Sequence, residues 1–352
     1  MLYPLKFIPV YKDYIWGGRG FEKFGRDLPE GIVAESWELS CHPDGISVVA
    51  DGEFKGMSLV ELLKAQGESI IGTELPKKYI EKFPLLVKFI DANDKLSVQV
   101  HPEDEYAQVY ENGELGKNEM WYVLDAKPGA KLVYGLAPGT TREKFASALE
   151  SGDLESSLRY VDVFPGDVIN IPAGALHAIG EGIMIAEVQQ SSNTTYRVYD
   201  YNRTDKEGNK RPLHIKQALD VIDFSGVERN KSKGLKVAMD GESYKTYVIA
   251  NKYFSIELYT VKSSVREKAD ESKFYIYVFT DGEGEIAYDG GAVRVKAGET
   301  VLIPAALGNY MLKGNFKALK AYIPDLQKDV ISSLQAAGYS KDSIYGILAG
   351  IA

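Results

Sequence analysis

The sequence has a single cysteine, Cys41, so no disulfide bond can form within the chain. This excludes the small secreted scaffolds that are held together by disulfide bonds. Long apolar runs are also missing, and none approaches the roughly 18 residues that a membrane-spanning helix needs. In residues 1–18, proline, lysine and aspartate interrupt every apolar stretch, so the core of a signal peptide is absent. We therefore expect a soluble protein located in the cytoplasm.

Positive charge is in short supply as well. Lys and Arg together number 41 against 50 Asp and Glu, which gives a formal net charge of −9. That balance excludes a nucleic-acid binder driven by overall charge, although it leaves room for a local basic pocket. We expect a small-molecule partner and neither a nucleic acid nor a membrane.

The pattern that is present is one of short alternating apolar runs between turns rich in Gly, of which there are 34. It is typical of an all-β protein, with only a few short helices, predicted at 58–65, 141–151 and 332–337. A length of 352 residues allows two domains at about 150 residues each. The predicted strands are 85–90, 95–100, 120–124, 168–171, 183–189, 195–200, 254–261, 274–280, 292–295 and 300–303.

An internal repeat gives the domain organisation. Residues 166–177 have the frame G-x5-P-x-G-x2-H, and residues 298–309 repeat it with Ala306 for the second Gly and Asn309 for His177. Coincidence between two Gly- and Pro-bounded strand ends is the alternative explanation. The frame resembles the second motif of the cupin superfamily, whose members are double-stranded β-helix, or jelly-roll, barrels. It implies a catalytic, metal-binding cupin domain at 1–230 and a metal-free cupin-like domain with a C-terminal helix at 231–352.

Polar side chains recur where strands of the first domain are expected. Strand alternation places Ser97, Gln99 and His101 on one face, opposite a face of aliphatic residues. Glu119 opens a strand that is otherwise apolar, and His177 follows the glycine turn of the repeat frame. A hydrogen-bonded core histidine is the alternative for His101 taken alone. Together, two imidazoles, a carboxylate and an amide suit a divalent cation with open positions: zinc, or manganese, iron, cobalt or nickel.

Five further motifs carry a resemblance to a known family. They are PLLVKFIDA at 84–92, LSVQVHP at 96–102, GKNEMWY at 116–122, IPAGALHA at 171–178 and EVQQSSNTTYRVYDYNR at 187–203. The chain resembles the short bacterial form of type I mannose-6-phosphate isomerase, from about residue 4 to 215 and more weakly beyond. The resemblance implies interconversion of mannose 6-phosphate and fructose 6-phosphate through a cis-enediol. It also implies one Zn²⁺ per chain, held by Gln99, His101, Glu119 and His177.

The same resemblance implies a set of active-site roles. The catalytic residues would be Arg197, Lys117, Glu187 and Lys88, and the substrate-binding residues Ser97, Arg203 and Trp16. Residue chemistry leaves alternatives open for the cations. The Lys88 ammonium would reach solvent or pair with Asp91, while the two arginines would be solvated or paired with Asp200 and Asp205.

One residue departs from the family pattern, because Asn193 stands where the family usually has Asp. An amide cannot abstract a proton, so the choice of base falls on Glu187, Lys88 or Lys117. This departure and the metal-free second barrel support one alternative function, a non-catalytic sugar-phosphate-binding cupin. Another metal-dependent cupin enzyme is a second alternative, against which the Gln ligand and the absence of a His-x-His motif count. We expect a monomer or a homodimer.

Overall fold

A computed structural model describes residues 1–204, 207–227 and 230–351. Asp205, one of the predicted partners of the arginines, lies outside these residues. The strands are, in chain order, β1 (Leu5–Ile8), β2 (Val10–Lys12), β3 (Glu35–Leu39), β4 (Val48–Val49), β5 (Leu85–Ala92), β6 (Val98–Val100), β7 (Glu119–Ala126), β8 (Lys131–Leu136), β9 (Leu158–Asp162), β10 (Val168–Ile171), β11 (His177–Ala178), β12 (Ile183–Gln190), β13 (Tyr196–Tyr199), β14 (Leu235–Ala238), β15 (Tyr244–Ala250), β16 (Ser255–Val261), β17 (Ser264–Ala269), β18 (Tyr275–Tyr288), β19 (Gly291–Lys296), β20 (Thr300–Ile303) and β21 (Gly308–Tyr322).

Helices are short and lie between the strands. They are α1 (Leu59–Gln66), α2 (Glu68–Ile71), α3 (Lys78–Glu81), α4 (Asp104–Tyr110), α5 (Arg142–Ser151), α6 (Ile215–Val221), α7 (Ser332–Ala336) and α8 (Lys341–Ile347), with 3₁₀ turns at Gly20–Phe24 and Leu154–Ser157 and a π-helical turn at Leu326–Ile331. The predicted all-β class with a few short helices is therefore confirmed. No helix among the described residues is both long and apolar enough to cross a membrane.

The start of α1 shows how local sequence sets these bounds. Ser58 accepts a hydrogen bond from the backbone N–H of Glu61, and the Glu61 carboxylate accepts one from the backbone N–H of Ser58. This reciprocal capping box satisfies two backbone donors that a helix start leaves unpaired. Thr141 caps α5 through its side chain in the same position. Helix starts of this kind are readable from spacing alone.

By its internal contacts the chain forms two compact units. The first contains Met1–Val10, Trp37–Lys88 and Ser232–Ala352, and the second contains Tyr11–Ser36 and Phe89–Lys231. The junction at Lys231/Ser232 is next to the predicted boundary, whereas the first unit also takes in two N-terminal segments. The division into a catalytic domain at 1–230 and a metal-free domain at 231–352 stays a prediction.

The first unit is built on a ten-stranded sheet with the order β14–β15–β16–β21–β18–β20–β1–β4, in which β17 pairs with β21 and β19 with β18. Tyrosines fill much of its core, and the hydroxyls of Tyr277 and Tyr310 lie 3.0 Å apart. Buried Glu257 accepts hydrogen bonds from Lys245 Nζ at 2.8 Å and from the Tyr322 hydroxyl at 2.6 Å. Asn309, the counterpart of His177 in the repeat, is exposed in β21.

The second unit contains a five-stranded sheet with the order β13–β6–β11–β8–β9. It also contains β10, β7 and β12 of a six-stranded sheet, whose order is β10–β7–β12–β5–β3–β2. Val98 and Val100 point into one apolar cluster of this unit, while Trp121 and Ile185 belong to another. On β6, Gln99 alternates with Val98 and Val100 and belongs to the candidate site, whereas Trp121 and Ile185 lie on the strand face that also carries site residues.

Candidate metal centre and its surroundings

Three neighbouring strands bring one row of polar side chains together. Gln99 on β6 is directly opposite Arg197 on β13 and also opposite His177 on β11. The amide nitrogen of Gln99 lies 3.4 Å from Nε2 of His177. Directly opposed residues of an antiparallel pair project from the same face. The predicted alternation along β6 is therefore what places Gln99 between the imidazole and the guanidinium.

A second pair of strands supplies the carboxylates. Glu119 on β7 is opposite Gln189 on β12, and Trp121 is opposite Glu187. The Trp121 indole Nε1 donates a 2.7 Å hydrogen bond to Glu187 Oε1, which confirms that the two side chains share a face. Glu119 and Glu187 are 1% and 2% exposed. Gln189, fully buried on the same face, was not singled out from the sequence.

His101, Glu119 and His177 form a buried cluster whose potential ligand atoms all lie within 4.8 Å of one another. Nε2 of His101 is 3.1 Å from Glu119 Oε1, and Nε2 of His177 is 3.7 Å from Glu119 Oε2. Neither carboxylate oxygen of Glu119 has a properly oriented hydrogen bond among the described residues. A buried carboxylate left in that state is costly unless a cation completes it. The donor set therefore fits a divalent metal ion.

Backbone carbonyl groups orient both imidazoles. Nδ1 of His101 lies 2.9 Å from the carbonyl oxygen of Thr194, and Nδ1 of His177 lies 2.8 Å from that of Ala175. A carbonyl oxygen can only accept, so each Nδ1 carries the proton and each Nε2 keeps its lone pair. Imidazoles that bind metals are held in this way. In each imidazole the lone pair is thus on Nε2, the nitrogen that approaches a carboxylate oxygen of Glu119.

Lys117 provides the positive charge nearest to this cluster. Its Nζ is 2.8 Å from Glu119 Oε1 and 3.2 Å from His101 Nε2, and the side chain is buried. Burial, together with the charge of Lys117, lowers the pKa of His101 to about 3, so its imidazole is neutral. Burial alone would raise the pKa of Glu119, but the charge of Lys117 holds that pKa well below its usual range. Neutral imidazoles beside an ionised carboxylate are the protonation states a metal ion requires.

Arg197 lies at the edge of this row. Its Nε is 3.3 Å from the Ser97 hydroxyl, and its Nη1 donates to the carbonyl oxygen of Pro212 at 3.0 Å. Its backbone N–H donates to Nδ1 of His214 at 3.2 Å. Among the described residues, the guanidinium of Arg197 bonds to a hydroxyl and a carbonyl rather than to a carboxylate. Ser97 and Arg197 are thus brought together with Gln99.

Arg203 and Arg211 share one buried carboxylate. Asp200 accepts from Arg203 Nη2 at 2.6 Å and from Arg211 Nε at 2.8 Å and Nη2 at 2.5 Å. For Arg203 the structure therefore shows the alternative in which its guanidinium pairs with Asp200. Arg211 was not anticipated, because nothing in the local sequence marks its return to Asp200.

Two further predicted site residues, Lys88 and Trp16, are also buried. Lys88, on β5 and in the first compact unit, is 3% exposed, and its Nζ lies 4.9 Å from the ring centre of Trp37. The alternative that the Lys88 ammonium reaches solvent is therefore wrong, because the whole side chain is enclosed. Trp16, in the second unit, is 3% exposed and belongs to the same apolar cluster as Trp121.

Comparisons with known proteins identify the family of this chain. The family model "Phosphomannose isomerase type I, catalytic domain" matches residues 4–129, and "Mannose-6-phosphate isomerase, cupin domain" matches residues 243–323. Mannose-6-phosphate isomerase ManA of Bacillus subtilis is 38% identical over 320 residues, which cover 91% of this chain and 99% of that protein. The chain belongs to the mannose-6-phosphate isomerase family.

Other relatives extend the comparison. The mannose-6-phosphate isomerase of Streptococcus mutans is 37% identical over 309 residues, which cover 88% of this chain and 94% of that protein. The crystal structure of mannose 6-phosphate isomerase from B. subtilis superposes with a TM-score of 0.84 at 33% identity, covering 91% of this chain and 99% of that one. The expected family and the cupin β fold are thereby confirmed.

Proposed function

We propose that this protein is an aldose–ketose isomerase that interconverts mannose 6-phosphate and fructose 6-phosphate through a cis-enediol. The observation that carries the proposal is the buried cluster of His101, Glu119 and His177 beside Lys117, in a member of this family. Isomerisation moves a proton between C1 and C2 and needs stabilisation of the oxyanion that develops on the sugar. The cluster and its neighbours supply groups of both kinds.

Zinc is the proposed metal, one ion per chain, and another divalent metal is compatible with the same donors. Gln99, His101, Glu119 and His177 would hold it. When bound, the ion supplies Lewis acidity that stabilises negative charge on sugar oxygens. Its binding also balances the buried negative charge of Glu119, to which Lys117 Nζ, 2.8 Å from Oε1, contributes one positive charge.

Acid and base roles are assigned from the positions of the side chains. Glu187 is the proposed base at carbon, because the Trp121 indole fixes its carboxylate in a buried environment. Lys117 Nζ is the proposed proton donor at a sugar oxygen. Lys88 is proposed as a further catalytic residue. Asn193 takes no part in proton abstraction, since an amide is not basic.

Substrate recognition is assigned to Arg197 and to the residues next to it. Its guanidinium fork suits a phosphate or an enediolate oxygen. Ser97 lies within hydrogen-bond distance of Arg197 Nε, and Arg203 contributes a second guanidinium. Trp16 would form an apolar wall of the sugar site. A cytoplasmic location and a monomeric or homodimeric state remain predictions.

The deciding experiment follows fructose 6-phosphate formation from mannose 6-phosphate by the purified protein. The assay is run before chelation, after chelation, and after Zn²⁺ is added back. We expect activity to fall with chelation and to return with the metal. Lack of isomerisation while the metal remains bound would refute the proposal and favour a sugar-phosphate-binding protein. Oxygen uptake by the metal-loaded protein would indicate a different metal-dependent cupin enzyme.

A further inference from the structure

Gln189 occupies a central position that the proposed mechanism does not use. It lies in β12 with no exposed surface, directly opposite Glu119 on β7. The next pair on the same face of the two strands, Glu187 and Trp121, is joined by a hydrogen bond. Since residues two apart along a strand project from one face, the amide of Gln189 shares the face that carries Glu119.

The orientation of this amide is fixed by its surroundings. Nε2 of Gln189 donates to the carbonyl oxygens of Gln190 at 2.8 Å and Ser192 at 2.6 Å. Turning the amide over would set its oxygen against two carbonyl oxygens, none of which can donate. The nitrogen must therefore face the turn. Oε1 is left without a hydrogen-bond partner anywhere in the part of the chain that is described.

The turn that Gln189 holds leads directly to the metal cluster. Two residues beyond Ser192, the carbonyl oxygen of Thr194 lies 2.9 Å from Nδ1 of His101. Gln189 thus adjoins the site twice, through its pairing with Glu119 and through this turn. A fully buried acceptor with no partner is costly, and it is tolerated where a ligand supplies the missing donor.

We propose that Gln189 Oε1 accepts a hydrogen bond from a hydroxyl-type donor bound at the candidate metal centre. An amide oxygen only accepts, so a fully ionised phosphate, which has no proton to give, does not fit there. A hydroxyl of the bound sugar and a water molecule both offer the required O–H group. The case in which a sugar hydroxyl is the donor rests on the proposed function, whereas the case in which water is the donor does not.

The test combines Gln189→Met with removal of single hydroxyls from the ligand. Methionine keeps the length of the side chain and removes the amide. Dissociation constants of mannose 6-phosphate and its 2-, 3- and 4-deoxy analogues are measured by calorimetry on Co²⁺-loaded protein. If a sugar hydroxyl is the donor, one deoxy analogue should bind about three- to tenfold more weakly than mannose 6-phosphate to the wild type. The same analogue should show no such difference with the variant.

The water source is tested without sugar. If water is the donor, Gln189→Met should shift the visible absorption spectrum of the bound Co²⁺ and lower the affinity for Co²⁺ in a chelator competition. Val188→Ala, which alters the opposite face of the same strand, controls for general destabilisation and should leave spectrum and affinity unchanged. The proposal would be overturned if Gln189→Met had the Co²⁺ spectrum and the Co²⁺ affinity of the wild type and also discriminated among all the analogues as the wild type does.

A crystal structure gives an independent test should the variant fail to fold. Wild-type protein is soaked with Co²⁺, with and without fructose 6-phosphate. We expect a sugar or water oxygen within about 3.2 Å of Gln189 Oε1. An apolar neighbour there in both crystals would overturn the proposal. A wild-type protein that does not isomerise mannose 6-phosphate would refute the proposed function and leave the sugar-free Co²⁺ measurements as the test of Gln189.

Discussion

Replacing Asp200 by Asn should destabilise the protein strongly at neutral pH and less in acid. The Asp200 side chain is 6% exposed, and its two partners, Arg203 and Arg211, are 15% and 25% exposed. Breaking a fully buried ion pair costs about 3–5 kcal/mol. Both arginine side chains are partly exposed, and Arg203 keeps a contact with Asp94 at 3.3 Å, so we expect a loss of about 2 kcal/mol in the free energy of unfolding.

The pKa of Asp200 decides whether the difference in stability is larger at neutral pH or in acid. Burial alone would raise the pKa of Asp200, but hydrogen bonds from Arg211 and Arg203 outweigh burial and lower it. A lowered pKa means that the stabilisation is complete above the unfolded-state value of about 3.9 and is lost as the pH falls through the folded-state value. Within that window the advantage of wild type over Asp200→Asn should shrink by about 1.4 kcal/mol per pH unit.

Urea unfolding of both proteins at pH 7, 5, 4 and 3 measures this difference. Asp94→Asn is the matched control, because it removes the other carboxylate of Arg203 at a site that is 47% exposed. That control should cost less than about 1 kcal/mol at any of these pH values. A destabilisation by Asp200→Asn that is equally large at pH 7 and pH 3 would refute the electrostatic reasoning.

Four other predictions concern the site and the core of the first unit. His177→Ala should abolish binding of the single divalent ion measured by metal analysis, and a variant that stays fully metal-loaded and active would rule out this centre. Arg197→Ala should lower kcat by about a hundredfold or more, with Arg197→Lys only partly restoring it, because lysine lacks the guanidinium fork. Asn309→Ala should leave kcat unchanged, since Asn309 is exposed, and a large loss of kcat would give the second repeat a part in the chemistry. Glu257→Gln should cost about 3 kcal/mol in urea unfolding by leaving the Lys245 ammonium largely buried without its carboxylate, and a cost below about 1 kcal/mol would contradict that account.

The elements that were predicted well are those fixed by local sequence. The strands Val168–Ile171 and Thr300–Ile303 have the predicted bounds, and α5 ends at the predicted residue. One long strand was cut short, because the apolar runs were expected to end at turns rich in Gly. Residues 274–280 were predicted as a strand, but β18 runs on through Gly282, whose φ of +75° lets the strand bend. A Cβ at that position would collide with the carbonyl oxygen of Asn315, which only the folded sheet supplies.

The same distinction holds for the candidate site: residues marked by a local sequence pattern were predicted, and residues whose role depends on a distant part of the chain were not. Strand alternation and motif spacing led to Gln99, His101, Glu119 and His177, because each stands in a short pattern of its own. Arg211 and Gln189 were missed as structural partners, whereas Asp200 was named only as an alternative partner of the arginines. Their roles depend on which strand or loop returns beside them, and the sequence around each of them is unremarkable. Helices α4 and α6 escaped prediction for a related reason, since neither has a side-chain hydrogen bond at its N-cap.

The unpartnered acceptors around β7 and β12 make a physical case that ligands complete this unit. Both oxygens of Glu119 and Oε1 of Gln189 are buried and lack properly oriented hydrogen bonds within the described chain. Each such atom costs about 1–3 kcal/mol, and a whole domain is stable by only about 5–15 kcal/mol. Lys117 offsets part of that cost by its charge alone. A cation at Glu119 and an O–H donor at Gln189 would relieve the remainder, so the groups that are costly to bury are the ones that would bind a metal ion and a hydroxyl-type ligand.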